Sequence, residues 1–134
     1  MTTNTINDPE IVAELEALYA RYESALVANN ADVLTQMFWA SPHAMRFEVT
    51  ENLYGIEEIA EFRKGRPAAN LARKVLRFSI VTFGRDFGSI TMEFERTMFE
   101  ANGDEKKIFG RQSQVWVRFP EGWRIVAAHV SILP

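Results

Sequence analysis

Apolar residues recur at spacings of three and four over the first part of the chain, the period of a helix that buries one face. From Ile11 to Leu26 they form a stripe that predicts a helix reaching about Ala28. The run Asp8-Pro9-Glu10 supplies its start with a capping side chain and a first-turn proline. Asn30 is the predicted cap of a second, short helix, and a third is predicted from Gly55 to Gly65.

Alternation of apolar and polar residues replaces the helical period in the second half of the chain. The segments GRDFG, ANGDEKK and PEG are turn material and separate the predicted strands. A shorter strand is predicted before the third helix, from Ala44 to Val49, with a return strand ending at Tyr54. The order predicts a single α+β domain over residues 1–134, with three helices on one face of a curved antiparallel sheet. The four long predicted strands are Leu76–Phe83, Ser89–Phe99, Ile108–Phe119 and Trp123–Leu133.

The last predicted strand, WRIVAAHVSIL, is apolar on both faces. A sheet covered by helices on one side only should show a polar outer face. We therefore expect a homodimer in which a second copy covers the outer face of the sheet.

Composition and charge exclude several classes of function. The 134-residue chain has no cysteine, which excludes disulfides and thiolate chemistry, and only two histidines, which makes a histidine metal site improbable. A net charge of −3 argues against a nucleic-acid partner. No signal peptide or membrane-spanning run is visible, so a cytoplasmic location without membrane attachment is expected.

The common catalytic and nucleotide-binding motifs are absent from the sequence. There is no nucleophile elbow, zinc-protease helix, phosphate-binding loop or dinucleotide glycine pattern. We therefore expect no metal and no cofactor. Chemistry on a small polar or acidic substrate would have to come from tyrosine, arginine, carboxylate, tryptophan and amide groups in a pocket.

Three polar residues interrupt rows that should be buried, and they are the candidate catalytic residues. Tyr22 lies on the apolar stripe of the first helix and is either a core tyrosine or a proton carrier. Arg46 shares a strand face with Glu48, and a buried arginine is costly unless it is paired. Arg46 could form an internal ion pair or clamp a substrate carboxylate. Glu48 is the only evident base on that face.

Further residues are candidate pocket walls. Arg96 interrupts an apolar row of its strand, and Gln114 shares a row with Gln112 and Trp116 whose orientation the sequence leaves open. His129 is a candidate that could equally be structural or interfacial. Trp39 and Tyr54 complete the predicted substrate-binding set.

A locally basic run follows the third predicted helix. Cations near a helix C-terminus are ordinary, so a solvated face is the favoured interpretation, with a basic rim that guides anionic substrates as the alternative. The run consists of Arg63, Lys64, Arg66, Arg73, Lys74 and Arg77.

Segments spread over nearly the whole chain carry a resemblance to a known family. They are RYESAL (Arg21–Leu26), FW (Phe38-Trp39), MRF (Met45–Phe47), TENLYG (Thr50–Gly55), EFRKGR (Glu61–Arg66), TFG (Thr82–Gly84), EFER (Glu93–Arg96), GRQSQVWVR (Gly110–Arg118) and GWRIVAAHVS (Gly122–Ser131). The chain resembles a small bacterial family of cyanuric-acid and oxalurate catabolism proteins, within the SnoaL-like or nuclear-transport-factor-2-like superfamily. The resemblance implies a cone-shaped, cystatin-like fold and dimerisation.

The resemblance also implies an activity and two of its residues. One branch of the family is a decarboxylating hydrolase of 1,3-dicarboxyurea, and its implicated tyrosine and arginine match Tyr22 and Arg46. This chain departs from the family pattern at Glu48, where the pattern has glycine. A carboxylate there would narrow the pocket and could neutralise Arg46, which would change the substrate or abolish the activity.

The leading functional hypothesis is a cofactor-free hydrolase of a small ureide- or amide-type metabolite in nitrogen catabolism. A non-catalytic ligand-binding or accessory dimer for a partner amidase is the first alternative. A proton-transfer isomerase with Glu48 as base is the second, since this fold supports such chemistry.

Overall fold

The computed structural model describes residues 5–67 and 72–134. The three helices are α1 (Pro9–Val27), α2 (Ala31–Gln36) and α3 (Gly55–Gly65). The six strands are β1 (Met45–Phe47), β2 (Asn52–Tyr54), β3 (Lys74–Phe83), β4 (Phe87–Phe99), β5 (Glu105–Phe119) and β6 (Gly122–Ile132). The predicted elements are confirmed, with ends that shift by a few residues.

The helix ends follow from local chemistry. The Asp8 side chain accepts a hydrogen bond from the Glu10 backbone N–H at 3.0 Å, and Asn30 accepts one from the Val33 N–H at 3.2 Å. Both contacts satisfy amides that have no partner inside their helix. Gly55 begins α3 with a φ of +85°, a conformation that side-chain-bearing residues rarely adopt. That turn sends the chain directly from the edge strand β2 into α3.

The strands form one six-stranded curved sheet in the order β2-β1-β6-β5-β4-β3. The four long strands are an antiparallel meander, as predicted. The short β1 pairs in parallel with β6, with Arg46 opposite Ala128. This parallel pairing places the earliest strand beside the last one and sets Arg46 on the same sheet as β5.

The core lies between the helices and the inner face of the sheet. The apolar stripe of α1 packs there together with α2, α3 and alternate residues of the meander. Side chains at alternate positions of β4, Ile90, Met92 and Phe94, are almost fully buried, which confirms that this row faces the helices. The row Gln112, Gln114 and Trp116 of β5 is also buried, so it faces the helices too.

The outer face of the sheet is mixed in character. Arg77, Glu93 and Arg111 are register partners in one exposed cross-strand row of alternating charge. Nearer β1, half-buried apolar side chains such as Phe47 and Val115 share this face. Within residues 5–67 and 72–134, no helix is long and apolar enough to cross a membrane.

The close packing of Phe94 on Gly110 gives a stability prediction. A Cβ added to Gly110 would lie 2.2 Å from the Phe94 ring, whose faces also carry the guanidinium groups of Arg73 and Arg96. The ring cannot withdraw without disturbing both arginines. We expect Gly110→Ala to lower the free energy of unfolding by about 1–3 kcal/mol, measured by denaturant titration.

Gly65→Ala is the matched control for this substitution. A Cβ at Gly65 meets no atom within 4 Å, and alanine favours a helix more than glycine does, so this substitution should not lower the free energy of unfolding. Equal stability of Gly110→Ala and the parent would contradict the assigned packing.

Candidate functional site

A row of inner-face residues crosses three neighbouring strands of the sheet. Arg46 on β1 is opposite Ala128 on β6, and Ala128 is opposite Gln114 on β5. All three are nearly fully buried under the helices. Because alanine contributes only a methyl group, the row has a long polar side chain at each end and little bulk between them.

Tyr22 on α1 and Arg63 on α3 meet above this row. Arg63 Nη2 donates a hydrogen bond to Tyr22 Oη at 3.0 Å, and each residue is 1% exposed. Burial alone would raise the pKa of Tyr22, but the positive charges of Arg63, Arg46 and Arg73 outweigh it, so its pKa is lowered from 10.0. The phenol therefore loses its proton more readily than an ordinary tyrosine, and its phenolate form can accept a proton.

Arg46 forms an ion pair with Glu48, through Arg46 Nη2 and Glu48 Oε2. The two side chains are 4% and 10% exposed, so the internal pair considered from the sequence is present. Burial lowers the pKa of Arg46, and the opposing charges of Tyr22 and Glu48 counteract part of that shift. A guanidinium group nevertheless remains charged at neutral pH.

A third arginine, Arg73, crosses from the start of β3 into the same layer. Its guanidinium contacts Glu23 at 2.6 Å and Gln112 Oε1 at 3.1 Å, and it stacks over the Phe94 ring at 4.6 Å. Burial would lower the pKa of Arg73, but the hydrogen bonds and charge of Glu23 raise it. Tyr19 also donates to Glu23, at 2.6 Å, and burial raises the pKa of that phenol. Arg73 is thus held rigidly by several partners.

The unmet hydrogen-bonding capacity of this cluster consists mainly of donors. The arginine nitrogens and the amide nitrogens of glutamine can only donate hydrogen bonds. A group that accepts hydrogen bonds is therefore needed to satisfy them. Among the described residues, the buried nitrogen atoms without a protein partner are Arg46 Nε, Arg63 Nε, Arg63 Nη1, Arg66 Nη1, Arg96 Nε, Gln112 Nε2 and Gln114 Nε2.

The net charge of the cluster is positive. Its cations are Arg46, Arg63, Arg66, Arg73 and Arg96, and its anions are the carboxylates of Glu23 and Glu48. Burial lowers the pKa of Arg66 and that of Arg96, which is the expected cost of grouping cations in a poorly hydrated space. An anionic, oxygen-rich ligand would offset both the charge and the unpaired donors.

Five of the eight predicted site residues face this layer. They are Tyr22, Arg46, Glu48, Arg96 and Gln114. The structure gives each of them neighbours in the cluster, whereas their roles stay predictions.

Three predicted residues do not join the cluster. Trp39 stacks on Phe119 near the β5–β6 turn, with ring centroids 5.5 Å apart. Tyr54 is 58% exposed on the edge strand β2, and His129 is exposed on the outer face of β6. The rings of both residues contact the Phe47 ring on the side of the sheet away from the helices. The centroid distances to Phe47 are 5.9 Å for Tyr54 and 5.8 Å for His129. Strand alternation turns them away from the interior.

The favoured interpretation of the basic run as a solvated face is wrong for two of its members. Arg63 is 1% exposed, and the Arg73 side chain is 2% exposed. Arg63 was detectable, because it extends the buried helical stripe of Ile56 and Ile59 by one turn. Arg73 precedes its strand, and no periodic signal marks it.

A surface groove lies beside the cluster. It has a volume of about 570 Å³ and runs between α3 and β2, with Glu51, Glu58 and Glu61 at its margin. Phe62 lines it, and the ring lies 6.0 Å from the Arg46 guanidinium and 5.9 Å from that of Arg66. Phe62 therefore stands between the groove and the buried arginine. Arg66 also lines the groove, but the three carboxylates outnumber it and make the groove itself a poor anion site.

Among residues 5–67 and 72–134, no group of three or more histidine, aspartate or glutamate side chains is placed to hold a metal ion.

Comparison with known proteins identifies relatives of this chain. A family model described as AtzH-like matches residues 4–134. No match is found among curated proteins.

Similar solved structures span essentially the whole chain. A protein of unknown function from Pectobacterium atrosepticum is 43% identical, with a TM-score of 0.86 over 96% of this chain and 95% of its own. A cystatin-like fold protein from Burkholderia xenovorans is 36% identical, with a TM-score of 0.84 over 97% and 98%. A nuclear transport factor 2-like superfamily protein from Salmonella enterica serovar Typhimurium is 25% identical, with a TM-score of 0.77 over 92% and 91%. The expected cystatin-like fold is confirmed.

The environment of Tyr22 predicts an unusual tyrosine titration. The phenolate absorbance of the folded protein should contain a component that titrates below pH 10, and Tyr22→Phe should remove it. A lowered folded-state pKa means that ionisation of Tyr22 stabilises the fold above pH 10, and this contribution is lost as the pH falls through the lowered pKa.

Tyr54→Phe serves as the control, since it removes an exposed tyrosine outside the cluster. The absorbance component that titrates below pH 10 should be present in Tyr54→Phe. If this component were also present in Tyr22→Phe, a group other than Tyr22 would be responsible for it.

Proposed function

The chain belongs to the AtzH-like family, and on that premise we propose that it is a cofactor-free hydrolase of a small ureide- or amide-type acid in nitrogen catabolism. One observation carries the proposal: a buried phenol with a lowered pKa lies against Arg63, in a layer of unpaired nitrogen donors. A proton acceptor beside donors for a developing oxyanion is the arrangement that acyl hydrolysis needs.

Charge selects the substrate class within this proposal. Glu48 alone would disfavour an acid, but its carboxylate is already engaged by Arg46. The remaining cluster stays positive and rich in donors, which favours a carboxylate-bearing substrate over a cationic one. Arg46 Nε, which has no protein partner, would bind that carboxylate.

Activated water is the nucleophile in this mechanism. Tyr22, as phenolate, takes a proton from water while the water oxygen bonds to the substrate carbonyl carbon. The carbonyl oxygen becomes an oxyanion that Arg63 stabilises through its free N–H groups. The C–N bond then breaks, and Tyr22 returns the proton to the leaving nitrogen. A carbamate product would lose carbon dioxide and release ammonia.

The position of Glu48 weakens the isomerase alternative. Glu48 Oε2 is already paired with Arg46, so this carboxylate is a poorer candidate for the general base than an unpaired one. We therefore assign proton transfer to Tyr22 and place Glu48 as the partner that holds Arg46.

Turnover by the purified protein tests the proposal. We expect ammonia and carbon dioxide release from ureide-type acids, with oxalurate in the panel. Tyr22→Phe and Arg46→Ala should each lower kcat/KM by about a hundredfold or more, because each removes a group that contacts the reacting atoms or the carboxylate.

Tyr54→Phe and Arg21→Ala are the controls, since both change exposed residues of the same types. Glu48→Gly separates a lost activity from a changed one. Turnover by Glu48→Gly but not by the parent would mean that Glu48 prevents this chain from acting on the substrate of its family. No turnover by either protein would contradict the hydrolase and favour the accessory-dimer alternative.

We also propose that two copies pair through the outer face of the sheet. The row Arg77, Glu93 and Arg111 alternates in charge, so a twofold-related copy could place each arginine near the other copy's glutamate. The half-buried Phe47 and Val115 supply apolar area beside it.

Light scattering should therefore give the mass of a dimer. Glu93→Arg would make the row uniformly positive and should weaken the dimer by about tenfold or more. Glu16→Arg, on the exposed side of α1, should leave it unchanged. A monomeric parent, or equal effects of both variants, would contradict this interface.

A further inference from the structure

Two glutamines of β5 extend into the buried cluster from the sheet. Gln112 and Gln114 are two residues apart, so both project from the inner face, and they are 5% and 1% exposed. A glutamine amide offers an acceptor oxygen and a donor nitrogen, and which of the two faces the interior decides what the site can bind.

The orientation of each amide is fixed by a partner that can only donate. Arg73 Nη2 donates to Gln112 Oε1 at 3.1 Å, and Trp116 Nε1 donates to Gln114 Oε1 at 3.0 Å. Guanidinium and indole N–H groups accept no hydrogen bond, so a flipped amide would set donor against donor. The chemistry of the partners therefore assigns the oxygen of each amide.

Both partners are themselves immobilised. Arg73 is held by Glu23 and by the Phe94 ring, and Trp116 is 0% exposed in the core. The amide nitrogens of Gln112 and Gln114 are consequently turned away from these partners, and both are buried without an acceptor. Two prealigned donors with nothing to bind in the protein indicate a ligand that brings oxygen.

We propose that Gln112 and Gln114 are specificity-determining residues that recognise the end of the substrate remote from Arg46. Their amide nitrogens donate hydrogen bonds to a carboxylate or carbonyl oxygen there, and they offer no acceptor to an ammonium group. Gln114 and Arg46 stand on opposite sides of Ala128, so one small molecule above Ala128 reaches both. This inference rests on the proposed function, because it concerns the substrate of the same site.

A glutamate at position 112 or 114 replaces the donor that faces the ligand with an acceptor. It keeps the hydrogen bond from Arg73 or Trp116 that orients the side chain. One carboxylate oxygen still accepts from Trp116 or Arg73, while the other replaces the N–H donor with an acceptor. The substitution therefore changes the group offered to the ligand and retains the contact that orients it. Gln36→Glu, at an exposed position of α2, makes the same chemical change outside the cluster.

Malonate and β-alanine are the probes for this test. Both carry a carboxylate for Arg46 and have similar lengths, but the other end is a carboxylate in malonate and an ammonium group in β-alanine. Binding is measured by calorimetry at neutral pH, without turnover. We expect the parent and Gln36→Glu to bind malonate about tenfold or more tightly than β-alanine, and Gln114→Glu to lose or reverse that preference.

Gln112→Glu is run in parallel, and thermal melting confirms that each variant is folded. An unchanged preference in both glutamate variants would overturn the proposal, as would a parent that binds neither probe. A preference that depends on Gln114 in a protein without turnover would uphold the recognition and reject the hydrolase. Turnover with an unchanged preference in both variants would uphold the hydrolase and reject the recognition.

Discussion

The hydrogen bond between Arg63 and Tyr22 is the contact on which the site depends. It joins α3 to α1 across the inner face of the sheet, at a point where both side chains are excluded from water. A guanidinium group buried in this way is costly unless a partner offsets its charge or accepts its hydrogen bonds. Tyr22 Oη accepts one of these bonds, and the charge of Arg63 in turn helps to lower the pKa of the phenol. The contact that joins two helices therefore also changes the chemistry of one tyrosine.

The remaining arginines show how the protein tolerates so much buried positive charge. Arg73 and Arg46 each have a carboxylate within the layer, Glu23 and Glu48. Phe94 and Phe62 offer aromatic faces to guanidinium groups on both sides of the cluster. These partners offset part of the desolvation cost, and the unpaired donors are the part that no protein group offsets among the described residues. Under the proposed function the substrate would offset that part, so the empty site would be less stable than the occupied one.

Periodicity was sufficient to predict the helices and the meander, because each is encoded by contacts close in sequence. The parallel pairing of β1 with β6 joins segments about eighty residues apart, and nothing in either strand specifies it. The same limit applied to the site: alternation put Gln112 and Gln114 on one face, but only the sheet shows that this face meets the helices. The sequence left open which face of the sheet His129 occupies for the same reason. The prediction that Arg63 is solvated was wrong because it followed the charge of the residue and not its position on a buried stripe.

Ala128 keeps the side-chain bulk between Arg46 and Gln114 to a single methyl group. The Cα atoms on either side of it, those of Arg46 and Gln114, are separated by two strand spacings, roughly 9.6 Å. A valine or leucine at this position would add bulk between these two side chains and would remove no hydrogen-bonding group of the cluster. Within the family, two chains could thus share every polar residue of the site and still differ in the length of molecule they admit. The residue to compare first between relatives is therefore one that carries no chemistry of its own.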